Sequence, residues 1–216
     1  MKKGSLVVIS GFSGAGKGTV IAELMRRESG YGFSVSATTR YKREGEEHGV
    51  HYFFISKEEF EEGIAAGRFL EYTQYSGNYY GTLADYVYAR MDDGITILLD
   101  IECEGALNVK RLAPEARLIY IIPPSAEVLL QRLTGRGTET REQIKKRLTR
   151  AMEEADIVSS YDGILVNDDL NKAVSNLSRM IRDEEYRRAS REENLPLVLQ
   201  IRDDLKQMLS CWQDEQ

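Results

Sequence analysis

The chain has 216 residues, a formal net charge of −6 and a pI near 5.2. That acidic balance excludes bulk binding to nucleic acid or to anionic membranes, which need a broad basic surface, so any polyanion must be met in a local basic pocket. The length suits one α/β domain with an insertion or two, and Cys103 and Cys211, far apart and without metal-ligand spacing, read as ordinary thiols of a reducing compartment.

The N-terminal MKKGSLVVIS holds too short an apolar run for a signal or a membrane span, which points to a cytoplasmic protein. Its strand-like Ser5 to Ser10 runs into GFSGAGKGT: Gly11, Phe12, Ser13, Gly14, Ala15, Gly16, Lys17, Gly18 and Thr19. This fits the phosphate-loop pattern G-x-x-x-x-G-K-[ST], except that Gly18 stands where a metal-liganding hydroxyl is expected. A helix with apolar Val20, Ile21, Leu24 and Met25 follows. Backbone N–H groups and the positive helix end would therefore surround an anion, with Lys17 as a mobile point charge for β and γ phosphates. FSVSA, from Phe33, reads as a further strand.

Residues 38–88 break the alternation of strands and helices with HYFFI, a helical piece from Lys57 to Ala66, and FLEYTQYSGNYYGT. Nine of the twelve tyrosines lie between Tyr31 and Tyr88, more than one core layer requires, so this stretch reads as an inserted subdomain with an aromatic, polar lining. Arg40 and Arg43 at its entrance could clamp a phosphate. ITILLD then ends a buried strand in Asp100, the place of a carboxylate that helps hold magnesium through water. With Leu118 to Ile122 and Ile164 to Asn167 as further strands, the pattern predicts a parallel-sheet α/β core flanked by helices.

Arg132 and Arg136 are four apart and would share a face if the helix continued that far, and Arg147 lies across the glycine-rich TGRGTETRE. Planar, permanently charged guanidinium groups suit the charge that develops on a transferring phosphoryl group. Ile144, Leu148, Ala151, Ala155 and Val158 form one helical stripe, and Leu170, Ala173, Val174, Leu177 and Ile181 another. DEEYRRASREEN reads as a solvated helix face. Beyond Pro196, the seam of Val198, Ile201, Leu205, Met208 and Trp212 suits docking on its own chain or pairing with a second copy, so monomer and homo-oligomer both stay open. The expected organisation is one domain with a core at 1–37 and 89–183, an insert at 38–88, a lid at 134–147 and a helical extension at 184–216. His48 and His51 read as loop and strand residues rather than catalysts.

The run SVSATTRYKREGEEHGVHYFF resembles the acceptor-binding signature S-x-T-T-R-x-P-R-x-G-E-x-x-G-x-x-Y-x-F of guanylate kinases. FLEYTQYSGNYYGT, LDIECEG, RLTGRGTET and LVNDDL are similar to that family in order and spacing, from Leu6 to Met180. The resemblance implies a P-loop core with a GMP-binding insert and a lid. It implies that Ser36, Arg40, Arg43, Tyr52 and Tyr80 bind the GMP phosphate or its surroundings and that Glu71, Thr82 and Glu102 read the guanine. The loop Gly11 to Thr19 would hold ATP phosphates, Asn167 would lie near the adenine, and Lys17, Arg132, Arg136 and Arg147 would serve the transfer. The implied activity is magnesium-dependent (Mg2+) transfer of the ATP γ-phosphoryl group to GMP, and to dGMP, within purine nucleotide metabolism.

One carboxylate can accept both N1–H and N2–H of guanine, whereas adenine offers an N1 lone pair, so a glutamate at position 71 also discriminates on physical grounds. The chain departs from the family pattern at Lys42 and Phe12, where Pro is usual, and at Glu102, where Asp is frequent. Gly18 moves the hydroxyl to Thr19, about 100° further round an ideal helix, so magnesium is expected on substrate phosphates and water with help from Asp100. Two alternatives are another nucleoside monophosphate kinase, which the loop alone would allow, and a guanylate-kinase-like scaffold that binds phosphopeptides. Intact Gly16, Lys17 and lid arginines weigh against the scaffold.

Overall fold

The computed structural model describes residues 3–135 and 140–212. Its strands are β1 (Leu6–Gly11), β2 (Tyr31–Phe33), β3 (Ser36–Thr38), β4 (Phe53–Phe54), β5 (Phe69–Tyr75), β6 (Asn78–Leu83), β7 (Thr96–Asp100), β8 (Arg117–Ile122) and β9 (Gly163–Val166). Its helices are α1 (Lys17–Arg27), α2 (Lys57–Ala65), α3 (Ala84–Asp92), α4 (Cys103–Leu112), α5 (Ala126–Thr134), α6 (Arg141–Ala155), α7 (Leu170–Arg182) and α8 (Glu184–Cys211). The order β2-β7-β1-β8-β9 makes a five-stranded sheet, and β4-β3-β6-β5 makes a second of four strands. The chain divides into two compact units, Met1–Val8 with Ser29–Arg117, and Ile9–Glu28 with Leu118–Gln216.

In the first unit, β2 and β7 pair in parallel, and Ile97, Leu98 and Leu99 are buried as a continuous apolar run, as expected of a strand covered on both faces. The smaller sheet has its own core of Ala37, Phe60 and Phe69, where Phe60 stacks on Phe69 at 4.2 Å and on Tyr79 at 5.0 Å. Its β5–β6 hairpin turns at Ser76 and Gly77, with φ of 49° and 80°, the left-handed pair that matches strand twist in a two-residue loop. Ser56 and Glu59 close a capping box on α2.

FSVSA is not one strand. Phe33 ends β2 in the larger sheet and Ser36 begins β3 in the smaller. Alternation puts Phe33 and Ala37 on one face of an ideal strand, yet Phe33 is exposed and Ala37 is buried, because the two ends belong to different layers.

In the second unit, β8 and β9 pair in parallel and every residue of β8 from Leu118 to Ile122 is buried. α6 buries Ile144, Leu148, Ala151 and Ala155, and α7 buries Ala173, Val174, Leu177 and Ile181 of the stripes expected from sequence, whereas Leu170, at the first position of α7, is exposed. α8 runs for 28 residues through Pro196 and lies against α6 and β9. It buries Val198, Ile201, Leu205 and Leu209, so the tail seam docks on its own chain, with Leu209 taking the place expected for Met208. The run expected to be solvated also buries Arg187 and Ser190. Arg187 lays its stem over Gly163, where a Cβ would sit 2.7 Å from its Cγ, and Nη1 donates to the Met180 carbonyl at 2.8 Å. No helix among the described residues is long and apolar enough to cross a membrane.

Candidate active site

Within the second unit, β1 delivers the chain into the glycine-rich loop. A Cβ at Gly11 would lie 2.5 Å from the Ile121 carbonyl oxygen, so the turn can begin only on glycine. The Phe12 ring is buried and meets Tyr120 edge-on at 5.3 Å, leaving only its backbone to the loop. Gly14 and Gly16 take φ of 98° and 86°, and α1 then starts at Lys17 with neither a side-chain cap nor an acid in its first turn. That is the setting in which helix N–H groups receive an anion.

Three side chains converge on this loop. Asn167 Nδ2 donates to the Ala15 carbonyl at 2.7 Å. Arg132, from the last turn of α5, donates to the Ala15 carbonyl at 3.2 Å and to the Asn167 carbonyl at 2.8 Å. Arg147, from α6, donates to Ser13 Oγ at 2.7 Å. Arg132 and Arg147 are thus gathered as expected, while the Asn167 amide N–H supports the loop backbone. A Cβ at Gly16 would come within 2.5 Å of that same Nδ2. Gly18 and Thr19 are exposed, and no atom lies within 4 Å of where a Gly18 Cβ would stand.

Within the first unit, strand register builds the second half of the site. Ser36 faces Thr82 across β3 and β6, and Thr82 faces Glu71 across β6 and β5, setting the three in one row. Thr82 Oγ1 donates to Glu71 Oε1 at 2.6 Å. α4 packs on β5, and between them lies a cavity of about 310 Å³ whose lining includes Ser36, Glu71, Tyr80, Asp100, Glu102 and Asn108. Burial pushes the Glu71 carboxyl above the usual carboxylate range, against the opposing pull of the Thr82 hydroxyl.

Arg40 supplies positive charge to this unit. Its guanidinium stands 5.4 Å over the Tyr52 ring, which meets Tyr80 at 6.1 Å, so these three expected residues form one cluster. Glu46 grips Arg40 with both oxygens, at 3.1 and 2.8 Å, and accepts the Arg43 backbone N–H at 2.8 Å. These partners hold its carboxyl at about 2. The Arg43 side chain is exposed, and its backbone joins the cluster through that N–H and through its carbonyl, which accepts the Glu46 N–H at 3.2 Å.

Among the described residues no group of three or more His, Cys, Asp and Glu could hold a metal ion. A single carboxylate at Asp100, exposed at the end of β7, fits an ion that keeps most of its waters and takes its remaining ligands from phosphates.

The family model for guanylate kinase matches residues 3–184. The chain belongs to the guanylate kinase family. It is 45% identical over 187 residues to a guanylate kinase of Shouchella clausii (strain KSM-K16), covering 87% of this chain and 91% of that one. With a guanylate kinase of Neisseria gonorrhoeae (strain ATCC 700825 / FA 1090) it shares 47% over 180 residues, 83% and 88% of the two chains. The crystal structure of guanylate kinase from Anaplasma phagocytophilum is similar with a TM-score of 0.57 at 28% identity, over 86% of this chain and 90% of that one.

Against the guanylate kinase pattern, Lys42 is exposed between the two arginines, and Phe12 is explained by its packing on Tyr120. Arg136 lies outside the described residues. Sequence reasoning missed Glu46 and Asn108. Asn108 follows Glu104 by one turn of α4 and both line the cavity, a signal that i, i+4 spacing from Glu104 could have supplied. Glu46 had a signal of its own, because it stands at the Glu of the G-E step in the acceptor-binding signature, where no role was assigned to it. The guanylate kinase match ends in the first turn of α8, so nearly all of that helix lies beyond it.

Proposed function

We propose that the chain transfers the γ-phosphoryl group of ATP to the phosphate of GMP, giving ADP and GDP. The observation that carries this reading is half-buried Glu71 with Thr82 donating to it: a carboxylate shaped to accept two adjacent N–H donors, as guanine presents and adenine does not. Glu102, at the N-cap of α4 on the same cavity, is assigned to the base as well. Arg40, Arg43, Tyr52, Tyr80 and Ser36 are assigned to the GMP phosphate. None of these residues is committed to the ribose 2′-hydroxyl, and dGMP is proposed as a second acceptor.

On the donor side, the loop Gly11 to Thr19 cradles the ATP phosphates, and Lys17 follows the β and γ phosphates. Arg132, Arg136 and Arg147 neutralise charge on the moving group. The acceptor phosphate is already ionised, so no general base is needed, and positioning with charge neutralisation carries the rate. Asp100 would help hold Mg2+ through water, and the ion would supply positive charge that offsets that of the donor phosphates. A cytoplasmic location and a place in purine nucleotide metabolism go with this reading.

A coupled assay for ADP tests it with GMP, dGMP, AMP, dTMP and UMP as acceptors. GMP should exceed AMP in kcat/KM by about 10⁴-fold, because a half-buried carboxylate left facing a lone pair rejects the wrong base. Lys17→Met should lower kcat by about 100-fold or more with GMP affinity retained. Preference for AMP, or no GDP from folded protein, overturns the proposal.

A further inference from the structure

α6 carries Arg147 to the loop, and the helix that backs α6 is the one lying beyond the family match. The two helices share an apolar seam, and two contacts from α8 fasten the ends of α6. Arg202 of α8 meets Asp156, which caps the C-terminal end of α6, at 2.9 Å. At the other end, the guanidinium of Arg141, first residue of α6, stands 5.2 Å over the ring of Trp212, which caps α8.

The apolar seam thins toward that second end, where Ile144 is the first buried residue of α6. Arg147 lies six residues past Arg141, within the turns that this end controls. We infer that Trp212 is a positioning residue for phosphoryl transfer: its ring holds Arg141, and with it the N-terminal turns of α6, where Arg147 reaches Ser13. This rests on the reading that Arg147 serves the transfer. An aromatic ring facing a guanidinium has a preferred geometry that an aliphatic side chain of similar bulk lacks, so the contact fixes direction as well as distance. The acceptor residues belong to the other unit and have no part in it.

The test is steady-state kinetics on the full chain. Trp212→Leu, which stays apolar but loses the ring face, should lower kcat about two- to fivefold, the range of a partly exposed cation–π contact. KM for GMP and the melting temperature should not change. Trp212→Phe should restore kcat, and Arg141→Leu should match the loss of Trp212→Leu with no further loss in the double variant. Unchanged kcat in Trp212→Leu, additive losses in the double variant, or a loss that follows melting temperature overturns the inference. Arg147→Gln separates the two levels. If it leaves kcat intact, the role of Arg147 fails and this inference with it. If it cripples turnover while Trp212→Leu does not, the ring–guanidinium contact alone fails.

Discussion

Glu71 is disfavoured as an anion before any ligand arrives, because burial raises its pKa. The guanine donors favour the anion. GMP binding therefore releases a proton between the bound pKa and the raised free value, and affinity falls as pH drops through that value. The phosphate of GMP titrates as well, near pH 6 for a phosphomonoester, so the wild-type chain must be compared with Glu71→Gln. Calorimetry between about pH 5 and 8 should give a steeper dependence for wild type, and binding weaker by about ten- to hundredfold for Glu71→Gln at the upper end. Equal slopes would remove Glu71 from base recognition. For the fold alone the sign is opposite: the ionised carboxyl costs stability above its folded pKa, so Glu71→Gln should melt no lower than wild type at neutral pH.

At the scale of elements, the phosphate loop separates two glycines that look alike in sequence. Gly16 needs its left-handed φ and leaves 2.5 Å to Asn167 Nδ2, whereas Gly18 stands in open space at the start of α1. Gly16→Ala should destabilise by about 1–2 kcal/mol from backbone strain alone and displace Asn167 from Ala15. Gly18→Ala should stabilise by about 0.5–1 kcal/mol through helix propensity. Thermal melts of the two variants check this, and a destabilised Gly18→Ala would contradict the open space. Most elements were legible because a period repeats within them, as in Ile144, Leu148, Ala151 and Ala155 of α6. The phosphate loop and Glu71 were legible because their chemistry sits in short local patterns. What stayed hidden depends on distant partners: Asn167 bonds a carbonyl 152 residues away, and Arg187 is buried by a glycine on β9. Local polarity gives no warning of either.

Over the whole molecule, the residues assigned to ATP phosphates fall in one compact unit and those assigned to GMP in the other, so each half of the chemistry is built by its own contacts. The second unit leans on α8. Val198, Ile201, Leu205 and Leu209 each contribute at most about 1.5–3 kcal/mol by burial, a sum that rivals the net stability of a typical domain, about 5–15 kcal/mol. A chain ended after Asp183 should lose cooperative melting of that unit in calorimetry; an unchanged transition would show the seam to be dispensable. The first unit holds a different kind of dependence. Only Ser34 and Val35 separate the last pairing of β2, Phe33 with Leu98, from the first of β3, Ser36 with Thr82. Three Cα steps, about 10 Å at full stretch, make a joint without slack. A pull on the small sheet would reach β2, at the edge of the larger sheet, through two residues rather than through a loop.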